Sequence, residues 1–518
     1  MPPLGKLRSP ILPMTDEDVA ALLNSNAPLV VVEAPAGCGK TYQGAHYALR
    51  AASALSTGCV LILTHTHAAC AAFAQATRTA HRKVEIRTLD SLIVQIASAY
   101  HKSLDLPPDP AAWARREGGD AYATLAARAG KLITRRPFVA AALAARFPIV
   151  IADEHQDASA DQHGVLMALR EAGAKLRVFG DPMQGIYAKT KAAVEQAQAR
   201  WEETKAAGAY AELETPHRWD DGTPALGNWI LQSRDALKEG RPIDLTGALP
   251  LGLTVLYADN SAAGRGYRLS DAERAPLNGI TRPGSEILIL TSQNDMTEAL
   301  AAFWNRSIPI WEGHTRPALD RLISANEAAA GDPVAVARAF VGFMGSVATG
   351  FSPSSHGNRF VQEVSQGCTG AARGKFIHVQ QLARLILDEP NHVGVAKCLT
   401  ALSGFRRDRV SGFEAINIDY RSEYRDAIRL GEFADPHDGL AELGRRRSFA
   451  HPVPPARAIS TIHKAKGLQC DNALILPCDR RFSSTLYSRC RLYVAISRAK
   501  RSLTLVLSRS DPCPLFKV

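Results

Sequence analysis

Short, nearly continuous apolar runs recur along the chain of 518 residues, separated by stretches that are compatible with helix. Four such runs occupy the first part of the chain, at residues 28–33, 59–64, 147–153 and 175–181. Four more follow, at residues 253–258, 286–291, 472–477 and 502–507. Because buried parallel strands have continuous apolar sequences, the pattern predicts an α/β protein with two parallel sheets flanked by helices.

Two stretches interrupt these sets of predicted strands. The first is rich in Ala and Arg, a composition that favours helix, and the second carries the basic clusters FRRDR and GRRR before the proline-rich segment HPVPPARA. We interpret both as mainly helical insertions. The expected parts are a first α/β domain from residues 1–97 and 149–215, its insertion 98–148, a second α/β domain from residues 216–295 and 451–518, and its insertion 296–450.

The composition is that of a globular protein, with 46% hydrophobic and 22% charged residues. Lys and Arg outnumber Asp and Glu by 61 to 51, which suits a polyanionic partner but also a basic protein without one. Nine cysteines are scattered without a Cys-x-x-Cys pair, so neither a disulfide framework nor an iron–sulfur site is indicated. No signal peptide or run of about 20 apolar residues is evident, and we expect a cytoplasmic protein without membrane spans.

The segment VVVEAPAGCGKTYQ, residues 30–43, has the form of a strand, a loop of small residues and the start of a helix. Glycines in the loop can adopt backbone conformations closed to other residues, so that successive N–H groups point at phosphate oxygens beside a helix N-terminus. Lys40 would reach the β- and γ-phosphates, and the Thr41 hydroxyl would bind Mg²⁺. The predicted nucleotide-binding loop consists of Ala36, Gly37, Cys38, Gly39, Lys40 and Thr41. The alternative is a chance glycine-rich turn.

The run IVIADEHQDAS, residues 149–159, is a predicted strand that ends in acidic residues. Side chains at the carboxyl end of a parallel strand are presented near a bound ligand. Asp153 would hold the metal ion, and Glu154 would orient or deprotonate the attacking water. An acidic strand end by itself is more often a solvated loop, but here it follows a predicted phosphate loop.

Together these segments resemble superfamily 1 DNA helicases of the UvrD/Rep type, and the motifs follow the family's order along most of the chain. The matching segments are APAGCGKT, LTHTHAA, RTLDSLIVQI, DEHQD, VFGDPMQGIY, LETPHRW, TIHKAKGLQCD and LYVAISRAKRSL. The resemblance implies two RecA-like domains that close on ATP and Mg²⁺. It also implies that the two helical insertions occupy the places where the predicted strands are interrupted.

The resemblance assigns roles to residues that match the family's motifs. Gln156 and Gln184 would sense the γ-phosphate, while Arg218 and Arg498 would be arginine fingers that neutralise charge on the phosphoryl oxygens. Further nucleotide contacts would come from His217, Gly467 and Gln469. The implied DNA contacts are Thr66, His67, Thr88, Ser91, Tyr187, Lys189, Thr461 and His463. Zinc binding by His65, His67 and Cys70 is an alternative for one of these segments, although it lacks a fourth ligand nearby.

Four positions depart from the family pattern. Asp18 stands where a glutamine reads adenine, and His217 stands where a tyrosine stacks on the base, so base discrimination is expected to be loose. Gln469 replaces a glutamate that contacts the ribose, a change that an amide can tolerate. Lys189 replaces an aromatic ring that would stack on a DNA base. Because such stacking contributes ~1–3 kcal/mol per base, we expect weak unwinding.

The resemblance therefore implies an ATP-dependent DNA helicase or translocase that moves 3′ to 5′ on single-stranded DNA and binds junctions between single and double strands. The compact form resembles the helicase-like subunit of the Gabija anti-phage system. Since only 18 residues follow Lys500, we expect any cleavage to come from a separate nuclease subunit. The alternative is a nucleotide-gated regulatory subunit that controls a nuclease without productive unwinding.

The basic clusters of the second insertion leave two interpretations open. They would line a duplex-binding surface or simply solvate a helical lobe. The clusters comprise Arg406, Arg407 and Arg409, and Arg445, Arg446 and Arg447.

Overall fold

A computed structural model describes residues 14–117, 120–188, 190–262, 266–313, 316–374, 376–450 and 454–518. They form two compact units. The first comprises the described residues up to Ser261, together with Leu269–Ser292 and Ala465–Val518, and the second comprises those of Ala262–Arg268 and Gln293–Lys464. The four-part division expected from the sequence stays a prediction.

Up to residue 292, the chain contains both strands and helices, with four helices in succession between residues 89 and 146. The elements are α1 (Asp16–Leu23), β1 (Leu29–Glu33), α2 (Lys40–Ala54), β2 (Val60–Thr64), α3 (His67–Ala76), β3 (Val84–Thr88), α4 (Leu89–Ala99), α5 (Pro110–Glu117), α6 (Ala121–Arg135), α7 (Pro137–Arg146), β4 (Ile149–Ala152), α8 (Ala160–Glu171), β5 (Lys175–Gly180), α9 (Lys191–Ala207), β6 (Ala209–Glu212), α10 (Pro224–Lys238), β7 (Ile243–Asp244), β8 (Leu253–Tyr257), α11 (Asp271–Ile280) and β9 (Ile287–Thr291).

The second unit is mainly helical. Its elements are α12 (Asn294–Phe303), α13 (Pro317–Ala329), α14 (Pro333–Val347), β10 (Ala348–Thr349), α15 (Asn358–Ser365), α16 (Phe376–Asp388), α17 (His392–Arg407), β11 (Asn417–Ile418), α18 (Arg421–Leu430), α19 (Pro436–Ala450) and β12 (Arg457–Thr461). The chain then returns to the first unit with β13 (Cys470–Cys478), α20 (Leu486–Ile496), β14 (Ala499–Leu507) and β15 (Phe516–Lys517).

Two parallel sheets form the core of the first unit. One has the strand order β3-β2-β4-β5-β1-β6, and the other runs β9-β13-β14-β8. Alternate residues of β1 face opposite sides: Val30 and Val32 pack in a cluster with residues of α2, whereas Leu29 and Val31 pack with residues of α4, α6 and α8. Helices therefore cover both faces of the first sheet, and the predicted α/β class is confirmed.

The eight predicted strands are all present. The apolar pattern did not predict β7, β10, β11, β12 or β15, and within the first sheet it missed β3 and β6. Both are edge strands of the first sheet, and most of their residues are only partly buried. An edge strand carries polar side chains where solvent reaches it, so it lacks the continuous apolar run of a central strand. Residues 98–148 contain the three helices α5, α6 and α7. A search of the described helices for a segment of the length and hydropathy of a membrane span finds none.

The strand order brings three loops together. β4, β5 and β1 are neighbours, and all three run in the same direction. The loops that follow them begin at Asp153, Asp181 and Ala34. Because the carboxyl ends of parallel strands meet at one edge of a sheet, these loops form a single site there.

Candidate active site

The loop between β1 and α2 has the backbone conformation that its glycines allow. Gly37 and Gly39 have φ of 82° and 80°, and Gly39 is the N-cap of α2. A Cβ on Gly37 would lie 2.6 Å from a ring atom of Trp219 and 2.8 Å from Cβ of Arg218. Both the positive φ and the close approach therefore require glycine.

Residues from the neighbourhood of the second sheet hold this loop. Ala36 N donates to the Tyr493 hydroxyl at 2.8 Å, and Arg218 N donates to Gly37 O at 3.0 Å. Burial raises the pKa of the Cys38 thiol to about 12, so it stays protonated. Hydrogen bonds to Tyr493 and Arg218 therefore hold the backbone of the loop in place. Its cysteine packs as a small buried side chain.

Lys40, at the start of α2, faces the acidic residues that follow β4. Its ammonium is ion-paired with Glu154 and lies 3.5 Å from Asp153 Oδ1. Asp153 is buried, and its Oδ1 accepts no hydrogen bond from the described residues. A buried carboxylate oxygen without a donor suits a hard cation, so Asp153 fits the predicted metal ligand, and Thr41 follows Lys40 in the same turn of α2.

Glu154 has a left-handed backbone conformation, with φ of 53°, directly after the strand end. Its carboxylate accepts from Gln156 Nε2 as well as from Lys40. Although burial raises its pKa, the charges of Lys40 and Lys466 outweigh that effect and lower it. Glu154 is therefore ionised, which is the state that a water-orienting base needs.

The two glutamines assigned as sensors meet at Asp181, which follows β5. Gln156 Oε1 accepts from Asp181 N at 3.0 Å, and Gln184 Nε2 donates to Asp181 Oδ2 at 3.0 Å. Gln156 also contacts Glu154. A hydrogen-bonded path thus connects Glu154 to the turn that carries Gln184.

Lys466 and Asp157 extend this path, and the sequence interpretation missed both. The Lys466 ammonium donates to the Asp157 carboxylate and, at 2.7 Å, to Gln184 O. It also lies 4.8 Å from the centre of the Tyr187 ring. Lys466 lies in the segment TIHKAKGLQCD, and Asp157 is the last residue of DEHQD. The sequence signal for their ion pair was therefore the presence of opposite charges in two motifs that had already been identified.

The structure places Arg218 beside the phosphate loop. Its Nη1 donates to Ser497 O at 2.6 Å, whereas its buried Nε has no partner among the described residues. Burial lowers the pKa of this guanidinium, and the nearby Glu154 carboxylate opposes that effect. Arg218 therefore has a donor left for a further acceptor near Glu154.

Arg498 is buried and bonded to its own surroundings. Its Nε, Nη1 and Nη2 donate to Val494 O at 2.8 Å, Leu468 O at 3.0 Å and Ser497 Oγ at 2.8 Å. Burial, together with the like charge of Arg218, lowers its pKa to about 10. The two predicted arginine fingers thus lie close together, but only Arg218 contacts the phosphate loop.

His217 lies next to the loop as well. Its Cδ2 would be 3.3 Å from a Cβ on Gly39, and its nitrogens contact Asp16 Oδ2 at 2.5 Å and Asp220 Oδ2 at 3.2 Å. Burial lowers its pKa, but the two carboxylates outweigh burial and raise it. The structure brings Asp16 to His217, whereas Asp18 completes a capping box with Thr15 at the start of α1.

Gly467 and Gln469 lie in the turn before β13. Gly467 has φ of 83°, and Gln469 is exposed. Among the described residues, neither forms a hydrogen bond with the phosphate loop, so their assignment to the nucleotide stays a prediction.

The predicted DNA contacts of the first sheet sit at helix starts. Thr66 Oγ1 accepts from Ala69 N at 3.1 Å, and Thr88 Oγ1 accepts from Ser91 N at 3.2 Å, so both hydroxyls are N-caps. The Ser91 hydroxyl donates to Thr88 O at 2.8 Å. These side chains therefore fix the ends of α3 and α4, and their DNA contacts stay a prediction.

The remaining DNA candidates are distributed over both units. His67 is the first residue of α3, and Tyr187 is 53% exposed. Lys189 lies outside the described residues. Thr461 and His463 belong to the second unit, where Thr461 ends β12 and its Oγ1 accepts from Lys464 N at 3.4 Å.

A buried cluster of charged residues lies at the strand ends that carry the site. The Arg234 guanidinium, on α10, pairs with Glu33 at the end of β1, with Asp181 at 3.0 Å and with Glu212 at 3.0 Å. Although burial raises it, the pKa of Glu33 is lowered to about 2 by the charges of Arg234 and Lys238. Arg234 thus ties together the strand ends that carry the phosphate loop and Gln184. Sequence reasoning missed it, although the glutamate closing the apolar run VVVE was a signal.

Two segments of the chain match known families. Residues 16–248 match the family model of an AAA domain, and residues 457–506 match that of a UvrD-like helicase C-terminal domain. No curated protein matches the chain.

Among the described side chains, no group of three His, Cys, Asp or Glu is arranged to hold a metal ion by itself.

Proposed function

Because the chain belongs to the UvrD/Rep-like superfamily 1 helicases, we propose that it hydrolyses ATP with Mg²⁺ while moving along single-stranded DNA. The matched domains make it a P-loop NTPase of the helicase type, with RecA-like domains that bind nucleotide. The single observation that supports hydrolysis best is the grouping of Lys40, Asp153 and Glu154 at one sheet edge, with Arg218 against the same loop.

Each residue has a definite task in this proposal. Lys40 would bind the β- and γ-phosphates in place of its contacts with the carboxylates, and Thr41 and Asp153 would hold Mg²⁺, which would neutralise phosphate charge. Glu154 orients the attacking water. Arg218 and Arg498 neutralise charge that develops on the transferred phosphoryl group.

Coupling to DNA is proposed to run through the path from Glu154 to Tyr187. Gln156 and Gln184 share Asp181, and Lys466 joins Gln184 O to Asp157 under the Tyr187 ring. A strand that displaces Tyr187 would shift Lys466 and, through it, the turn that carries Gln184. This path supports hydrolysis that responds to single-stranded DNA. Binding of junctions and movement 3′ to 5′ are proposed from the family resemblance alone.

A second candidate function is a nucleotide-gated switch that controls a partner nuclease without unwinding. The observation in its favour is Lys189, since a lysine cannot stack on a base as the family's aromatic ring does. In either case a separate nuclease subunit, as in the anti-phage system that the compact chain resembles, is the proposed partner.

A strand-displacement assay distinguishes the motor from the nucleotide-gated switch. Duplexes with a 3′ or a 5′ single-stranded tail are incubated with the protein, ATP and Mg²⁺, and released strand and phosphate are both measured. A motor releases strand from the 3′-tailed duplex and produces phosphate. A switch produces phosphate without strand release, and absence of both would contradict the proposal. Co-purification of a nuclease with the tagged protein from the cells that naturally produce it tests the partner.

A further inference from the structure

The second unit contains a cavity of about 370 Å³ that has no part in the nucleotide site. It lies between residues 306–313 and Arg316 on one side and the start of α18 on the other. The arginines that line it are Arg306, Arg316, Arg406, Arg421 and Arg425. The carboxylates among its lining residues are those of Glu312 and Asp419, so positive charge is in excess.

Two of the arginines are neutralised. Arg306 Nε donates to Asp419 Oδ1 at 2.9 Å, and Arg316 Nε donates to Asp426 Oδ2 at 2.9 Å. Both pairs fix the walls of the cavity and leave little charge for a ligand.

Glu312 is also engaged. Its buried carboxylate accepts from Ser422 N at 2.7 Å and from Glu423 N at 2.9 Å. These are N–H groups of the first turn of α18, so Glu312 caps this helix and its charge is offset by the helix dipole. The helix N-terminus is therefore occupied and is not itself the anion site.

Three arginines keep their charge available. Arg406 donates through Nε to the backbone carbonyl of Ile416 at 2.7 Å, which leaves its two terminal nitrogens. Arg421 and Arg425 are exposed and lie one turn apart on α18. None of the three pairs with a carboxylate of the described residues. Guanidinium groups that line one cavity without counter-ions are suited to a phosphate group.

An aromatic residue is among those that line the cavity. Trp311 lines it, and the indole Nε1 is buried without a partner among the described residues. Its backbone N donates to Ile459 O at 2.7 Å, which fixes the residue. Nucleic-acid bases stack on such rings, with Arg supplying additional attraction. A volume near the lower end of the range for ligand pockets, roughly 300–1,000 Å³, suits one nucleotide.

We propose that this cavity binds a single nucleotide, with its phosphate on Arg406, Arg421 and Arg425 and its base on Trp311. The nucleotide is either free or the phosphorylated end of a strand, since both present the same chemistry. The site is independent of the hydrolytic centre, and it gives the basic cluster around Arg406 a definite role.

The test uses full-length protein carrying Lys40→Ala, so that the phosphate loop does not contribute. Binding of dAMP is measured by calorimetry, beside deoxyadenosine, inorganic phosphate, and a single-stranded oligonucleotide with and without a 5′-phosphate. The expected result is saturable binding of dAMP that is weakened at least about tenfold by Arg421→Ala with Arg425→Ala, because charge-assisted hydrogen bonds are lost. Arg429→Ala is the matched control, since Arg429 is an exposed arginine of α18 outside the cavity lining.

The outcomes are distinct. Tighter binding of the 5′-phosphorylated oligonucleotide than of the unphosphorylated one, with the difference lost in the Arg421→Ala and Arg425→Ala variant, supports a strand end. Binding of dAMP with no difference between the two oligonucleotides supports a free nucleotide. Equal binding of phosphate and dAMP would overturn the role of Trp311, as would dAMP binding that Trp311→Ala leaves unchanged. No binding of dAMP together with equal binding of the two oligonucleotides would overturn the site, as would an equal loss in the Arg429→Ala control. Circular dichroism of each variant shows that the fold is retained.

Discussion

Lys466 donates to both carboxylate oxygens of Asp157, at 2.7 Å to Oδ1 and 2.6 Å to Oδ2. The two residues are 309 positions apart in the sequence, and both side chains are nearly buried. Because Lys466 also donates to Gln184 O, one ammonium joins the segment after β4, the turn after β5 and the turn before β13. This contact connects the residues around the first sheet with those around the second.

Replacing Lys466 with glutamine should lower the stimulation of ATP hydrolysis by single-stranded DNA by roughly tenfold or more, since small displacements of positioned groups can cost up to 10²-fold. Phosphate release is measured with and without oligonucleotide. Lys517→Gln is the control, because Lys517 pairs with Asp244 at an exposed site, where ion pairs contribute little. Full stimulation of a folded Lys466→Gln variant would show that this contact does not couple DNA to hydrolysis.

Gly37→Ala should abolish nucleotide binding. The new methyl group would meet Trp219 at 2.6 Å and Arg218 Cβ at 2.8 Å, at a φ of 82°. Gly284→Ala isolates the effect of backbone strain, because its φ is 87° and a Cβ there meets nothing within 4 Å. Titration with a fluorescent ATP analogue measures both variants. Equal affinities would mean that the close approach at Gly37 is unimportant.

Arg234→Met should lower the free energy of unfolding by about 3–5 kcal/mol, because it leaves the buried carboxylates of Glu33 and Asp181 without their main counter-ion. Urea unfolding gives this value. Arg241→Ala removes an exposed pair with Glu239 and should change stability by less than about 1 kcal/mol. A loss no larger for Arg234→Met than for Arg241→Ala would contradict the structural role of the cluster.

The contacts of His217 with Asp16 and Asp220 predict a pH dependence. Since the folded-state pKa is raised above 6.5, the stability gained from these contacts is complete below pH 6.5 and is lost as the pH rises through the folded-state value. NMR titration of His217 should give a midpoint above 6.5, and Asp16→Asn should lower it. An unchanged midpoint in Asp16→Asn would show that the contact with Asp16 does not hold the imidazolium.

The sequence predicted the two sheets and the centre of the site, because both depend on local patterns. A buried strand and the glycine loop from Gly37 to Lys40 are encoded within a few residues. The partners of Arg234 and Lys466 are not: Glu33 precedes Arg234 by 201 residues, and Asp157 precedes Lys466 by 309. Such contacts depend on how the strands are ordered, which no local pattern records.

The hydrogen bonds of Arg498 show the same limit. The motif around this residue indicated an arginine near the phosphates, but not that backbone carbonyls of Val494 and Leu468 would hold its guanidinium. Its expected role as an arginine finger requires that these bonds exchange for phosphate oxygens when nucleotide binds. That role stays a prediction.

Hydrolysis of ATP in the presence of single-stranded DNA, measured for Glu154→Gln and Arg498→Ala beside the native protein, tests the central claim most directly. We expect Arg498→Ala to lower the rate by roughly 10³-fold or more and Glu154→Gln to abolish most turnover, with nucleotide affinity changed far less. Native rates in both variants would contradict the assignment of a hydrolytic centre to this site.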